Sequence, residues 1–289
     1  MGLSKIEFDL LSKHVDGVEP HGYSTEEINE TEKNLESYGY VSNSALTEKG
    51  LDALEPYRVK RVIFLAAGFG SRLVPITLNT PKPLVRVHGE RIIDHALDAC
   101  LEAGINEIYI VRGYLKEQFD QLLYKYPMIK FIDNDEYNSA NNISSAIRVK
   151  DLFENAYVID ADNIVYNHKV IRKYQYSTNF MGVKVSETDD WYFKTENGVI
   201  TDELKGGSGD DIYLVIGISY WDEKAGKQLK KDLQEEYDGP EGKKLYWEFV
   251  PILTRKENYT IKVRECNTKD VIEIDTFDEL KAIDEAYRV

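Results

Sequence analysis

Arg72 and Lys82 are the residues whose type and spacing first indicate chemistry. Arg72 ends the small-residue stretch Ala66-Ala67-Gly68-Phe69-Gly70-Ser71-Arg72, and Lys82 stands between two prolines that restrict the backbone. Glycines after a strand let backbone N–H groups approach an anion, and the two cations add charge there. We therefore predict a triphosphate site with Arg72 and Lys82 as catalytic cations. Its nucleotide-binding residues in this stretch are Leu65, Ala66, Ala67, Gly68, Gly70 and Ser71.

Asp162 and Asp275 are the candidate metal ligands. Each follows a short apolar run that predicts a buried strand, 157–159 for Asp162 and 271–274 for Asp275. Acids at the carboxyl ends of strands face the ligand crevice of an open α/β fold, and carboxylates beside a triphosphate suit Mg²⁺. We therefore predict Mg²⁺ as cofactor, although Asp275 could instead cap the last helix. Asp160 has either a structural role or a place in the nucleotide site.

The elements that must position these groups alternate between strand and helix. Residues 62–65 form an apolar, β-branched run typical of a strand buried on both faces, 92–103 predict a helix, and 107–111 predict the next strand. This order predicts an α/β, Rossmann-like domain over 58–289 with a mixed, mostly parallel sheet.

The chain after Lys173 predicts antiparallel structure. Asn197-Gly198 lies between alternating segments at 191–195 and 199–203, which indicates a two-residue hairpin, and 206–209 predicts a loop. We expect a small β-rich substrate lobe here.

Residues 1–57 form a separate N-terminal module in this interpretation. A helix at 4–13, a capping box at Ser24-Thr25-Glu26-Glu27, a short extended segment and a helix near 46–54 resemble a winged-helix module, α-helical with a little β-structure. Residues 1–58 hold five Lys or Arg and twelve Asp or Glu, a net charge of −7. Such a module would be repelled by phosphates, so docking, dimerisation or packing on the larger domain is favoured over DNA binding.

The composition limits the function classes. The chain has 289 residues, 42% of them hydrophobic, and a net charge of −15, which argues against a general nucleic-acid binder. Only two cysteines are present, no apolar segment approaches the roughly 18 residues of a membrane span, and the N-terminus lacks a signal-peptide pattern. We expect a soluble, cytoplasmic protein with no nucleic-acid or membrane partner, and a homodimer is one assembly to test.

The string L-A-A-G-x-G-x-R-L followed by T-P-K-P-L resembles the signature of the sugar-phosphate nucleotidyltransferase superfamily. Further segments narrow the match: GYLKEQFD at 113–120, YVIDADN at 157–163, LYW at 245–247 and EID at 273–275 resemble bacterial CTP:phosphocholine cytidylyltransferases. This resemblance covers 59–289 and implies CTP as donor, phosphocholine as acceptor, and CDP-choline and pyrophosphate as products. It also implies that Asp162 and Asp275 hold the metal.

The same resemblance suggests roles for further residues. Gly113 and Tyr114 would lie near the cytosine, Asn142 would join the nucleotide site, and Lys184 would reach the acceptor phosphate. The choline-pocket candidates are Trp191, Tyr220, Trp221, Tyr246 and Glu273. From the residues alone, tryptophans beside acids are either core aromatics or a cage for a quaternary ammonium.

Three alternatives stay open at this point. A 2-aminoethylphosphonate or phosphoethanolamine cytidylyltransferase would use the same acids to accept hydrogen bonds from a primary ammonium. A sugar-1-phosphate nucleotidyltransferase is a more distant alternative. A nucleotide-binding regulator that signals through residues 1–57 is the alternative outside the enzyme class.

Overall fold

The computed structural model describes residues 2–288. Its helices there are α1 Lys5–Asp16, α2 Thr25–Ser37, α3 Glu48–Leu54, α4 Ile92–Glu102, α5 Ile143–Arg148, α6 Glu223–Tyr237 and α7 Phe277–Ile283. The strands are β1 Val41–Ser42, β2 Ala45–Leu46, β3 Arg61–Ala66, β4 Arg86–Val87, β5 Glu90–Arg91, β6 Ile108–Arg112, β7 Ile129–Asp133, β8 Ala156–Asp160, β9 Asn163–Val165, β10 Asn179–Glu196, β11 Val199–Trp221, β12 Lys262–Cys266 and β13 Val271–Glu273. Short 3₁₀ turns join them, and the segment Lys116–Tyr124 forms a 3₁₀ helix nine residues long.

A seven-stranded mixed sheet forms the centre of the molecule, in the order β10-β12-β11-β8-β3-β6-β7. The strands β8, β3, β6 and β7 run parallel, and β11 pairs antiparallel with β8. Val62, Ile63 and Phe64 of β3 are all fully buried because helices and loops cover both faces of the sheet. The predicted α/β fold with a mostly parallel sheet is confirmed.

The strands β10 and β11 build the β-rich lobe by folding back on one another. Asn197 and Gly198 form the predicted hairpin, with φ of 51° and 74°, which is the backbone that a tight two-residue turn between twisted strands requires. Tyr213 pairs with both Lys184 and Phe193, so the second half of β11 lies between two stretches of β10.

The predicted loop at 206–209 lies within β11, where Thr188 pairs with Gly207. A side chain at Gly207 would lie 2.6 Å from the Tyr192 hydroxyl, so glycine here gives the tyrosine its space. After α6, the segment Val250–Thr254 forms a single π-turn.

The N-terminal residues have the predicted order of helices around a two-stranded hairpin, and α1 and α2 both begin with capping boxes. Leu11, Leu35 and Leu54 form a small core that includes Tyr174 of the larger domain. Tyr57 stacks on Tyr176 with ring centroids 5.5 Å apart. The module therefore packs on the larger domain, and its winged-helix assignment and the boundary at residue 57 stay predictions.

Candidate active site

A cleft of about 810 Å³ opens at the carboxyl ends of β3 and β8, where the sheet meets the β-rich lobe. The loop after β3 and the segment after β8 form one end of it, and the lobe forms the other. In open α/β sheets the ligand crevice lies outside these strand ends, so this cleft is the candidate active site.

One end of the cleft holds a charged cluster of Arg72, Lys82, Asp162, Glu273 and Asp275. Lys82 Nζ donates to Asp162 Oδ2 at 2.7 Å and to Asp275 Oδ1 at 2.9 Å. Arg72 Nη2 donates to the same Asp275 oxygen at 2.7 Å. Four residues that the sequence analysis drew from separate segments thus meet at one place.

The loop after β3 depends on Gly70 to bring Lys82 into this cluster. Gly70 has a φ of +67°, and a Cβ there would lie 3.0 Å from Lys82 Cβ and 3.2 Å from a methyl carbon of Thr77. The Thr77 hydroxyl donates to the Gly70 carbonyl at 2.9 Å and fixes the turn. Leu65, Ala66, Ala67, Gly68 and Ser71 also line the cleft.

The Lys82 ammonium stays charged in this setting. Burial by itself lowers the pKa of Lys82, but the nearby charges of Asp162 and Asp275 outweigh it and leave the pKa above its ordinary value. Two of the three N–H groups of the ammonium are used by these carboxylates, so one is left for a ligand.

Asp162, Glu273 and Asp275 form a set of oxygen donors suited to a divalent metal. One carboxylate oxygen from each lies within 4.8 Å of the others. Burial together with repulsion from Asp162 and Asp275 raises the pKa of Glu273 well above its ordinary value. Glu273 is exposed to solvent in the cleft, so repulsion among the three neighbouring carboxylates is the main reason that its pKa is raised. Glu273 was predicted in the choline pocket, and the structure instead places it in this charged cluster.

The other end of the cleft is aromatic and acidic, and we call it the aromatic end. The rings of Trp191, Tyr246 and Phe249 pack edge to face, with centroids between 5.2 and 6.1 Å apart. Glu203 and Glu248 lie beside them in the same cleft. Burial and the neighbouring Glu248 raise the pKa of Glu203 to about 9, and burial raises the pKa of Glu248 to about 7.

Asn142 belongs to the aromatic end as much as to the nucleotide side. Its Nδ2 donates to Glu248 Oε2 at 3.2 Å, and its Oδ1 accepts from the Trp247 backbone N–H at 2.8 Å. Asn142 therefore also positions the loop that carries Tyr246 and Glu248, in addition to its predicted role in nucleotide binding.

Three predicted substrate residues do not reach the cleft. Tyr220 and Trp221 are 1% and 0% exposed, because this part of β11 pairs with β8 in the middle of the sheet. Both are core residues, and their prediction as choline-pocket residues is wrong. Lys184 lies over the Tyr213 ring and pairs with Asp211 at 3.7 Å, outside the residues that line the cleft.

Gly113 and Tyr114 lie one layer behind the cleft wall. A Cβ on Gly113 would lie 2.8 Å from Tyr137 Cβ, so glycine lets Tyr137 line the cleft. The Tyr114 hydroxyl donates to the carbonyls of Thr77 and Leu78, at 2.9 and 3.1 Å, and so holds the loop that carries Lys82. Asp160 does line the cleft, and burial, followed by the charge of Asp162, raises its pKa well above normal.

The sequence analysis missed Glu203, Lys205 and Phe249. Lys205 pairs across the hairpin with Trp191, and Glu203 pairs with Phe193, so these side chains share one face of the lobe. The only signal in the sequence was the spacing of Glu203 and Lys205, which are two positions apart and therefore point to the same face of a strand. The same spacing is common on strands whose charged face is exposed to solvent, so it did not indicate a binding site.

Comparisons with known proteins agree with this geometry. The Nucleotidyl transferase family model matches residues 61–244. The 2-aminoethylphosphonate cytidylyltransferase of Lancefieldella rimae is 32% identical over 229 residues, 78% of this chain and 92% of that protein. The choline-phosphate cytidylyltransferase of Streptococcus pneumoniae is 33% identical over 231 residues, 78% of this chain and 97% of that protein.

A solved structure of CTP:phosphocholine cytidylyltransferase from Streptococcus pneumoniae superposes with a TM-score of 0.72 at 32% identity, covering 79% of this chain and 99% of that one. The family match begins at residue 61, so the N-terminal module lies outside it. The chain therefore belongs to the nucleotidyl transferase family, as an enzyme of the choline-phosphate or 2-aminoethylphosphonate cytidylyltransferase type.

Proposed function

We propose that this enzyme transfers CMP from CTP to a small acceptor that carries a phosphate or phosphonate at one end and a cationic nitrogen at the other. The observation that supports this most is the division of one cleft into a charged cluster and an aromatic end. Phosphocholine, expected from the sequence, and 2-aminoethylphosphonate, the acceptor named for a relative, both have this form.

The charged cluster accounts for binding of the triphosphate. Lys82 keeps one N–H free, and the side chain of Arg72 is 61% exposed, so both cations can contact phosphate oxygens. Asp162 and Asp275, with Glu273 beside them, would hold Mg²⁺, which when bound would neutralise triphosphate charge and orient the α-phosphate.

The reaction requires positioning more than proton transfer. An acceptor phosphate or phosphonate oxygen attacks the α-phosphorus of CTP, a new P–O bond forms, and the bond to the bridging oxygen breaks to release pyrophosphate. The attacking oxygen is already ionised near neutral pH, so no general base is needed. Lys82 and Arg72 stabilise the negative charge that moves to the leaving pyrophosphate.

The aromatic end would hold the cationic nitrogen. Aromatic rings attract a cation by about 0.5–2 kcal/mol each, and the carboxyl groups of Glu203 and Glu248 supply hydrogen-bond acceptors that a bound cation would favour in their ionised form. A sugar 1-phosphate could donate hydroxyl hydrogen bonds to these acids, but it carries no cationic nitrogen for the rings to attract, so it is the less suitable acceptor.

Pyrophosphate release tests the proposal. The purified protein is given CTP and Mg²⁺ with phosphocholine, 2-aminoethylphosphonate, phosphoethanolamine or glucose 1-phosphate, and we expect turnover only with the nitrogen-containing acceptors. Asp162→Asn should lower kcat by at least about 100-fold with an unchanged circular dichroism spectrum. Asp278→Asn, whose carboxylate is 89% exposed, should leave kcat unchanged. Turnover with glucose 1-phosphate alone, or full activity of Asp162→Asn, would refute the proposal.

A further inference from the structure

Glu203 carries a buried carboxylate with no partner. The residue is 5% exposed, and its Oε2 is a buried acceptor that receives no hydrogen bond. Among residues 2–288, no lysine, arginine or histidine forms an ion pair with it. Leaving a buried acceptor unpaired costs about 1–3 kcal/mol, and more for a charged group, so the position is expensive without a ligand.

A lysine on the same face of the lobe does not pair with Glu203. Lys205 stands on the same face of the hairpin, two residues along β11, but its Nζ lies 5.8 Å from the centre of the Trp191 ring. Asn142 is a hydrogen-bond donor at this end, and its Nδ2 donates to Glu248 rather than to Glu203. Glu203 therefore faces the cleft as an acceptor that its neighbours do not satisfy.

The three aromatic rings do not form an open cage. Trp191, Tyr246 and Phe249 pack on each other at centroid distances of 5.2 to 6.1 Å, and Lys205 already covers the Trp191 face. A trimethylammonium group would need several free ring faces around it, because it has no N–H with which to pair a carboxylate. A primary ammonium needs less room and brings three N–H donors.

We propose that Glu203 selects acceptors whose nitrogen is a primary ammonium, by accepting a charge-assisted hydrogen bond from it at the bottom of the aromatic end. This inference rests on the proposed function and names the acceptor class within it. The acceptor is a short alkyl chain with an –NH₃⁺ group at one end and a phosphate or phosphonate at the other.

The high pKa of Glu203 is consistent with this role. In the absence of a cation the carboxyl group is kept neutral by burial and by Glu248, while Asp160 is the next acid towards the charged cluster. An ammonium bound against Glu203 would favour the ionised carboxylate and displace its proton to solvent. A quaternary ammonium would offer charge but leave the oxygen unpaired.

Steady-state kinetics with saturating CTP test this inference. We expect the wild-type kcat/KM to be at least about tenfold higher for 2-aminoethylphosphonate or phosphoethanolamine than for phosphocholine. Glu203→Gln should raise the KM for the primary amines about 10- to 100-fold, since a charge-assisted hydrogen bond is lost, with little change in kcat. The KM for phosphocholine should change by less than about threefold, because no N–H is involved.

Glu196→Gln is the matched control, since Glu196 is an exposed acid at the tip of the same hairpin, and it should change neither KM. Equal or better turnover of phosphocholine by the wild type would overturn the inference but leave the proposed function intact. An equal effect of Glu203→Gln on all acceptors would also overturn it. Absence of pyrophosphate release with every nitrogen-containing acceptor would instead refute the proposed function itself.

Discussion

Replacing Glu203 by glutamine should make the folded protein more stable, increasingly so as the pH rises. The pKa of Glu203 is about 9 in the folded protein, against 4.5 for an ordinary glutamate. Between these values the unfolded chain releases a proton that the folded protein keeps, so wild-type stability falls with rising pH. The contribution of Glu203 protonation to the free energy of unfolding is fully present below pH 4.5, decreases as the pH rises, and is completely lost only above about pH 9.

The magnitude follows from this difference. Each pH unit between the two pKa values removes about 1.4 kcal/mol from the free energy of unfolding. Because Glu203 is 5% exposed, screening by solvent reduces this little. Glutamine has no titrating group, so the advantage of the Glu203→Gln variant over the wild type should grow by roughly 3 kcal/mol from pH 6 to pH 8. Titrating groups far from Glu203 contribute equally to both proteins, whereas the charge of Glu248 is one cause of the raised pKa of Glu203 and is part of the difference.

Urea unfolding followed by tryptophan fluorescence at pH 6, 7 and 8 measures the difference, with linear extrapolation of the free energy to zero denaturant. Glu196→Gln, at an exposed position of the same hairpin, should show no pH-dependent advantage over the wild type. A difference that stays constant or shrinks as the pH rises would show that Glu203 is ionised and satisfied in the folded protein, and would refute the reasoning.

Two further predictions concern the loop after β3 and the N-terminal module. Gly70→Ala should destabilise the protein by about 1–2 kcal/mol and lower kcat, because its left-handed backbone and its closeness to Lys82 disfavour a Cβ. Thermal unfolding and the pyrophosphate assay measure these two effects, and Gly68→Ala, where a Cβ meets no protein atom, should leave the thermal stability unchanged. Leu54→Ala should destabilise the small core around α1 and α2 by about 2–5 kcal/mol, detected as faster limited proteolysis of residues 1–57, since Leu54 is fully buried. Leu51→Ala, at a position 40% exposed, should leave proteolysis unchanged.

The sheet and the charged cluster could be predicted because their signals are local. The apolar run of β3 and the acids that follow two strands are visible in short stretches of sequence, and parallel strands place their carboxyl ends at one edge. Lys82, Asp162 and Asp275 meet although no single stretch contains them all, and Asp275 arrives from β13, which pairs antiparallel with β9 outside the central sheet.

The residues that line the aromatic end could not be predicted in the same way, because they depend on which face of a strand packs against which loop. Trp191 and Trp221 both follow the pattern of an aromatic beside an acid, yet one lines the cleft and the other is in the core. Asp222, beside Trp221, caps α6 by accepting from the Ala225 N–H at 2.9 Å. The sequence carries no sign of this difference, since register and lobe packing decide it.

The folding back of β10 and β11 has a consequence for how such enzymes diversify. Trp191, Glu203 and Lys205 all lie on one continuous piece of chain, whereas the charged cluster is assembled from residues of distant segments. Exchanging that single piece, through recombination or deliberate grafting, would alter the molecule that receives CMP without disturbing the machinery that handles the donor.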